Sequence, residues 1–177
     1  MKQVSGRLKL LSAVGALLIL AIIATIIWYQ RTEPLMDDGL TVYQNPDSKI
    51  KFYTMMIVNK SNSTIDIQRV TVNGEKIPDN VQLGITFDSG RLVQYLGDET
   101  YPATKMMNLH DASILPQLPV QEIGAIIASE VKKHTPIHYG IVVRYDQEAI
   151  QEMTIRFTYL GFTKTKRITK WFANETL

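Results

Sequence analysis

The chain has 177 residues, a formal net charge of +2 and no cysteine. Without cysteine it has no disulfide scaffold, thiolate zinc site, cysteine nucleophile or acylated lipoprotein N-terminus. The first 31 residues carry four basic groups and no acid, while the rest balances 15 basic against 17 acidic groups, so there is no clustered basic face of the kind that binds nucleic acid.

Residues 10–28, LLSAVGALLILAIIATIIW, run for 19 positions without a charge. At about 1.5 Å per residue, a helix of that length spans close to the hydrocarbon core of a bilayer. Trp28 and Tyr29 supply an aromatic end at the interface, so the predicted transmembrane anchor covers residues 10–29. The run closes on Ile-Ile-Trp-Tyr-Gln rather than on small residues, which favours an uncleaved signal anchor over a cleaved signal peptide. Lys2, Arg7 and Lys9 precede it, and Arg31 alone follows closely. Excess Lys and Arg mark the cytoplasmic side. Residues 1–9 are therefore expected to form a cytoplasmic stub, with everything beyond the anchor outside.

Residues 30–39, QRTEPLMDDG, are polar, hold Pro34 and Gly39, and read as a juxtamembrane linker. From 40 to 177 strand signals dominate. TVYQ is expected to open the domain. Residues 50–58, IKFYTMMIV, are apolar on both faces from Phe52 onward, as in a central strand covered on both sides. After the polar turn NKSNS, Ile65 and Ile67 share one parity and Val70 and Val72 the other. That switch at Gln68-Arg69 predicts a bulge or a change of sheet. Asn73-Gly74 tolerates the positive φ of a type I′ turn. VQLGITF puts Val81, Leu83, Ile85 and Phe87 on one face, and after Asp88-Ser89-Gly90 the segment RLVQYL is expected to return as a strand.

Residues 119–133 break the pattern. Val120, Ile123, Ile127 and Val131 recur at helical spacing. Pro119 suits a first helical position, and Glu122 near the start with Lys132 and Lys133 near the end complements the macrodipole. One amphipathic helix packing its stripe on the sheet is expected. Residues 137–145 then alternate, with Ile137, Tyr139, Ile141, Val143 and Tyr145 on one face. Met153, Ile155, Phe157 and Tyr159 repeat the alternation, and KTKRITKWF forms the last strand. About eight short strands separated by turns make the pattern of an antiparallel β-sandwich, Ig-like in general architecture, behind a single transmembrane helix.

Chemistry is harder to find. His134 and His138 would be i and i+4 on a helix, but Pro136 disfavours one there. Along a strand the two lie about 13 Å apart, too far for one zinc ion with bonds near 2 Å. The chain has no Gly-x-Ser-x-Gly elbow, P-loop or Gly-x-Gly-x-x-Gly. Asp146, Glu148 and Glu152 read as a solvated turn. Neither a metal nor a cofactor is expected. The basic run holding Lys164, Lys166, Arg167 and Lys170 beside Trp171 is the one candidate contact, for anionic lipid headgroups or a wall polymer. An edge strand guarded by lysines has the same appearance and is the preferred reading. Sequons at Asn59, Asn62 and Asn174 matter only where a secretory pathway glycosylates.

The short basic N-terminus, the single anchor and the segments VNKSNSTIDIQRVTVNG, IHYGIVVRY and MTIRFTYLGF resemble single-pass membrane proteins of Gram-positive bacteria with a small extracytoplasmic β-rich domain. The likeness covers most of the chain and carries over no catalytic residue. With no catalytic constellation in the chain, a non-enzymatic, membrane-tethered interaction or structural module of the cell envelope is expected. The bilayer holds it through residues 10–29, and another envelope protein is its expected partner. The alternative is an extracytoplasmic ligand-binding or sensing domain that uses a cleft between helix 119–133 and the sheet.

Overall fold

The computed structural model describes residues 2–45, 47–48, 50–96 and 103–172. The chain divides into two compact units, Met1–Glu33 and Pro34–Leu177. The first is one helix, α1 (Lys2–Arg31). Its stretch Leu11–Arg31 is long and apolar enough to cross a membrane. Thr32 closes the helix, donating both its N–H (3.0 Å) and its hydroxyl (2.8 Å) to the Trp28 carbonyl.

The second unit is mainly β. Its strands are β1 (Leu35–Gln44), β2 (Lys51–Asn59), β3 (Ile65–Val72), β4 (Asn80–Phe87), β5 (Thr104–Met107), β6 (Pro136–Arg144), β7 (Met153–Tyr159) and β8 (Phe162–Ile168). A second helix, α2 (Val120–Ala128), lies between β5 and β6. Every pairing is antiparallel, in a five-stranded sheet ordered β1-β2-β6-β4-β5 and a three-stranded sheet ordered β3-β7-β8.

Period-2 alternation sets the core. On the five-stranded sheet Tyr53, Met55 and Ile57 lie across from Val143, Ile141 and Tyr139, which pair in turn with Val81, Leu83 and Ile85. On the other sheet Ile65, Ile67, Val70 and Val72 lie across from Tyr159, Phe157, Ile155 and Met153. All of these except Val81 are buried. The parity switch in β3 is a bulge, seen as a register shift between Ile67 and Arg69. It keeps Val70 and Val72 on the same buried side as Ile65 and Ile67. Asn73 and Gly74 take positive φ, 45° and 89°, as their sequence predicts.

Three expectations need correction. The polar stretch 30–39 is not a linker: α1 continues to Arg31 and β1 begins at Leu35, leaving three residues between them. Leu35 is buried and pairs with Asn59, so a hydrophobic side chain inside a polar run sets where the sheet begins. RLVQYL does not return as a strand. Residues 91–95 cross the outer face of the five-stranded sheet, where Val93 packs with Met56 and Val142. Tyr95 stacks on Phe52 with ring centroids 4.0 Å apart. The edge strand that pairs with β4 is instead β5, whose four residues are too few for alternation to show in the sequence.

The third concerns α2. It spans only Val120–Ala128, and none of its residues is buried. Ser129 takes extended φ and ψ of −68° and 134°. Its hydroxyl accepts from the Val131 N–H at 3.2 Å, so a local side-chain bond replaces the next helical turn. Pro119 is the N-cap, and Lys132 and Lys133 lie past the end. The α2 stripe is therefore not part of the core, and on the outer face of the five-stranded sheet the packing comes from Val93 and Tyr95.

Register defines two poles of this unit. Leu35 pairs with Asn59, Ile57 with Tyr139, and Phe87 with Pro136. On the smaller sheet Ile65 pairs with Tyr159, and Tyr159 with Phe162. The start of β1, the β2–β3 turn, the end of β4, the start of β6 and the β7–β8 turn therefore share the pole where β1 begins. The Asn73 turn, the start of β4 and the end of β6 lie at the other.

Candidate functional site

The basic strand β8 is an edge strand, and alternation decides what its cations meet. Lys164 and Lys166 stand opposite Phe157 and Ile155, at inward-facing positions. Inward lysine is one way in which an edge strand avoids adding further strands. Lys166 meets Asp37, at the β1 bulge where the register shifts between Asp37 and Gly39. Its carboxylate is 8% accessible and receives Lys166 Nζ at 3.4 Å and Lys170 Nζ at 2.8 Å. Trp171 Nε1 donates to it at 2.7 Å, and Lys170 Nζ lies 4.6 Å from the centroid of the Trp171 ring.

Burial pushes the Asp37 carboxyl up. The hydrogen bonds from Lys170 and Trp171, with the charge of Lys166, outweigh that effect and hold it at about 2. Arg167, on the outward face, pairs with Glu152, with its Nε 2.7 Å from Oε2. Of the five residues named for a lipid or polymer contact, Lys166, Lys170 and Trp171 thus converge on Asp37 and Arg167 on Glu152, while Lys164 lies part-way buried along β8. Sequence reasoning missed Asp37, which is 134 positions from Trp171 along the chain. Alternation within one strand says nothing of the facing sheet.

The loop carboxylates are held singly rather than as a facing pair. Asp146 receives Arg144, with Nε at 2.7 Å. Glu148 receives Lys76 and Asn73, each at 2.7 Å. Glu152 also accepts the Gly74 N–H at 2.9 Å. These bonds hold Glu148 and Glu152 below the usual carboxylate range, chiefly through Lys76 and Arg167 respectively.

The histidines stand in different settings. His134 has a positive φ of 54°, and its N–H donates to Asp88 Oδ2 at 2.7 Å while Thr135 N–H donates to Oδ1 at 2.9 Å. The Asp88 N–H donates to the Thr135 carbonyl at 3.0 Å, so this exchange joins the end of β4 to the start of β6. His138 lies on β6, and burial lowers its pKa while Asp38 pulls the other way. Among the described residues no group of three or more His, Asp or Glu is placed to hold one metal ion.

One cleft lies between the α2–β6 connection and the end of β4 and start of β5, and no residue of α2 lines it. It encloses about 670 Å³ and is lined by Phe87, Asp88, Ala103, Thr104, Lys105, Lys132 and His134. Its cationic groups come from β5 and from the α2–β6 connection. Elsewhere, Asn59 is buried, with its amide donating to the Ser63 and Ile114 carbonyls at 2.8 and 2.9 Å. That burial leaves no room for a glycan at this sequon. Asn62 is exposed, and Asn174 lies outside the described residues.

No family model, curated protein or solved structure matches the chain.

Proposed function

We propose that the protein is a membrane-anchored interaction or structural module of the cell envelope, non-enzymatic, with its β unit outside the cytoplasm. The observation that carries this reading is the apolar helix Leu11–Arg31, followed within three residues by a mainly β unit. Lys2, Arg7 and Lys9 ahead of the apolar run support that orientation. The β unit reads as an Ig-like sandwich of constant type. The order β1-β2-β6-β4 corresponds to strands A, B, E and D, and β3-β7-β8 to C, F and G, with β5 added at the edge. Such a sandwich carries many unrelated functions, so the argument for a binding role rests on its surface.

The test uses the absence of native cysteine. Ser5→Cys and Ile77→Cys, made singly in the full chain, are exposed to a membrane-impermeant maleimide on intact cells stripped of any wall. Labelling at position 77 alone supports the reading. Labelling at position 77 only after permeabilisation, or loss of the protein from the membrane in carbonate, refutes it.

The cleft favours a second reading, a ligand-binding or sensing domain. Lys105, Lys132 and His134 around one opening suit a small anion. Thermal stabilisation by phosphates or carboxylates that disappears in Lys105→Gln/Lys132→Gln would support it.

A further inference from the structure

We propose that α2 and the β7–β8 turn form a lipid-docking face that rests on the outer surface of the bilayer spanned by α1. This deepens the anchored-module reading and rests on it.

The apolar side chains concerned are exposed. Val120 is 79% accessible and Phe162 64%, and Ile127, Val131 and Leu160 are also exposed. A soluble domain seldom leaves such groups together in water unless they meet something. Leu160 adds a second sign. It adopts a positive φ of 52°, next to Gly161 at 80°, in a two-residue turn where Asn or Gly is the favoured choice. A bulky apolar residue held in that conformation at a hairpin tip is strained, and its side chain stays exposed.

The fold gathers these groups at one pole. On the N-terminal side of α2, Gln117 N–H donates to the Asn59 carbonyl at 2.9 Å, and Asn59 is the partner of Leu35. On the C-terminal side, His134 and Thr135 are fixed to Asp88 at the end of β4. Leu160 and Phe162 arrive by a different route, through the pairing of Tyr159 with Ile65. All lie at the pole where β1 begins, and Lys60 N–H donates to the Pro34 carbonyl there at 2.8 Å.

The tether selects the occupant. Only residues 32–34 join α1 to β1. When α1 spans a bilayer, Leu35 can stand no more than about 14 Å from the last helical residue. That is comparable to the depth of a headgroup layer, in which an amphipathic helix buries its apolar face by about 5–10 Å. Charge near α2 is balanced, with Glu122 and Glu130 against Lys132 and Lys133. Apolar insertion rather than anionic attraction should therefore dominate.

The experiment uses full-length protein in phosphatidylcholine vesicles with one introduced cysteine carrying an environment-sensitive dye. The sites are Val120→Cys and Phe162→Cys on the proposed face, Ile77→Cys at the opposite pole and Leu18→Cys in α1. Ile77 is as exposed as the test residues, at 68%. Nitroxide-bearing lipid should reduce emission about twofold at 120 and 162 and leave 77 unchanged. Quenching at 18 with 120 and 162 as bright as 77 overturns the docking face and leaves the anchor standing. A blue-shifted but unquenched dye at 120 or 162 means that protein covers the patch, and it overturns the proposal too. No quenching at 18 removes the anchor, and with it the docking face.

Discussion

Gly84 and Gly140 pair across β4 and β6, and Val93 rests on the gap they leave in the sheet. A Cβ at Gly140 would stand 2.9 Å from Val93 Cβ, and one at Gly84 would overlap Val93 Cγ1. Gly84→Ala should therefore cost about 1–3 kcal/mol by overpacking. Adding Val93→Ala should recover part of that loss, because the two sites share one contact. Urea denaturation of the single and double variants measures it. Phe157 and Arg156 make a complementary pair. Phe157 is buried, so Phe157→Ala should cost about 3–5 kcal/mol. Arg156 is exposed and lies across from Arg69, so its loss should cost under about 1 kcal/mol or even stabilise by relieving like charge. Equal effects at the two would mean that the strand faces are misassigned. Phe157 was legible because its row alternates within one strand. The glycines were not, because what they accommodate comes from a segment that reads locally as a strand of its own.

At the level of elements, the Asp37 clasp binds the edge of one sheet to the edge of the other. A carboxyl held at about 2 when folded, against an ordinary 3.8, favours the native state only while it is ionised. Its contribution is complete above the unfolded value and fades as pH falls from about 5 toward 2. The shift corresponds to on the order of 1–2 kcal/mol once solvent screening is allowed for. Asp37→Asn should thus lose that much at neutral pH and converge on the native protein near pH 2, as read from urea midpoints across the range. A difference that persists unchanged at pH 2 would show that packing, not charge, makes the clasp. Most strands and the β3 bulge could be read from the sequence, since both are written in side-chain parity. The helix could be read as a helix, but its partner could not. A stripe at steps of three and four states that a face is apolar, not that the sheet beneath it is free.

For the whole molecule, the division between Glu33 and Pro34 is a statement about where the β unit can be released. A fragment beginning at Pro34 should be mainly β by far-UV circular dichroism. A fragment beginning at Met36, with Pro34 and Leu35 removed, should be weaker by about 2–5 kcal/mol in urea denaturation. It gives up the buried Leu35 side chain and the hydrogen bond from Lys60 to Pro34. Similar stability for the two fragments would mean that β1 begins later than Leu35.

The three-residue join has a mechanical consequence. Any pull arriving along the chain from α1 enters the β unit at Leu35, the first residue of a strand nine rungs long in its pairing with β2. If whatever the module engages holds the opposite pole, tension runs parallel to β1, and its rungs and the Asp37 clasp bear the load together in shear. If the hold is at the pole that contains Leu35, the same rungs open one at a time from Leu35 onward. A single covalent arrangement thus resists traction in one direction and yields in the other, and the site of engagement determines which.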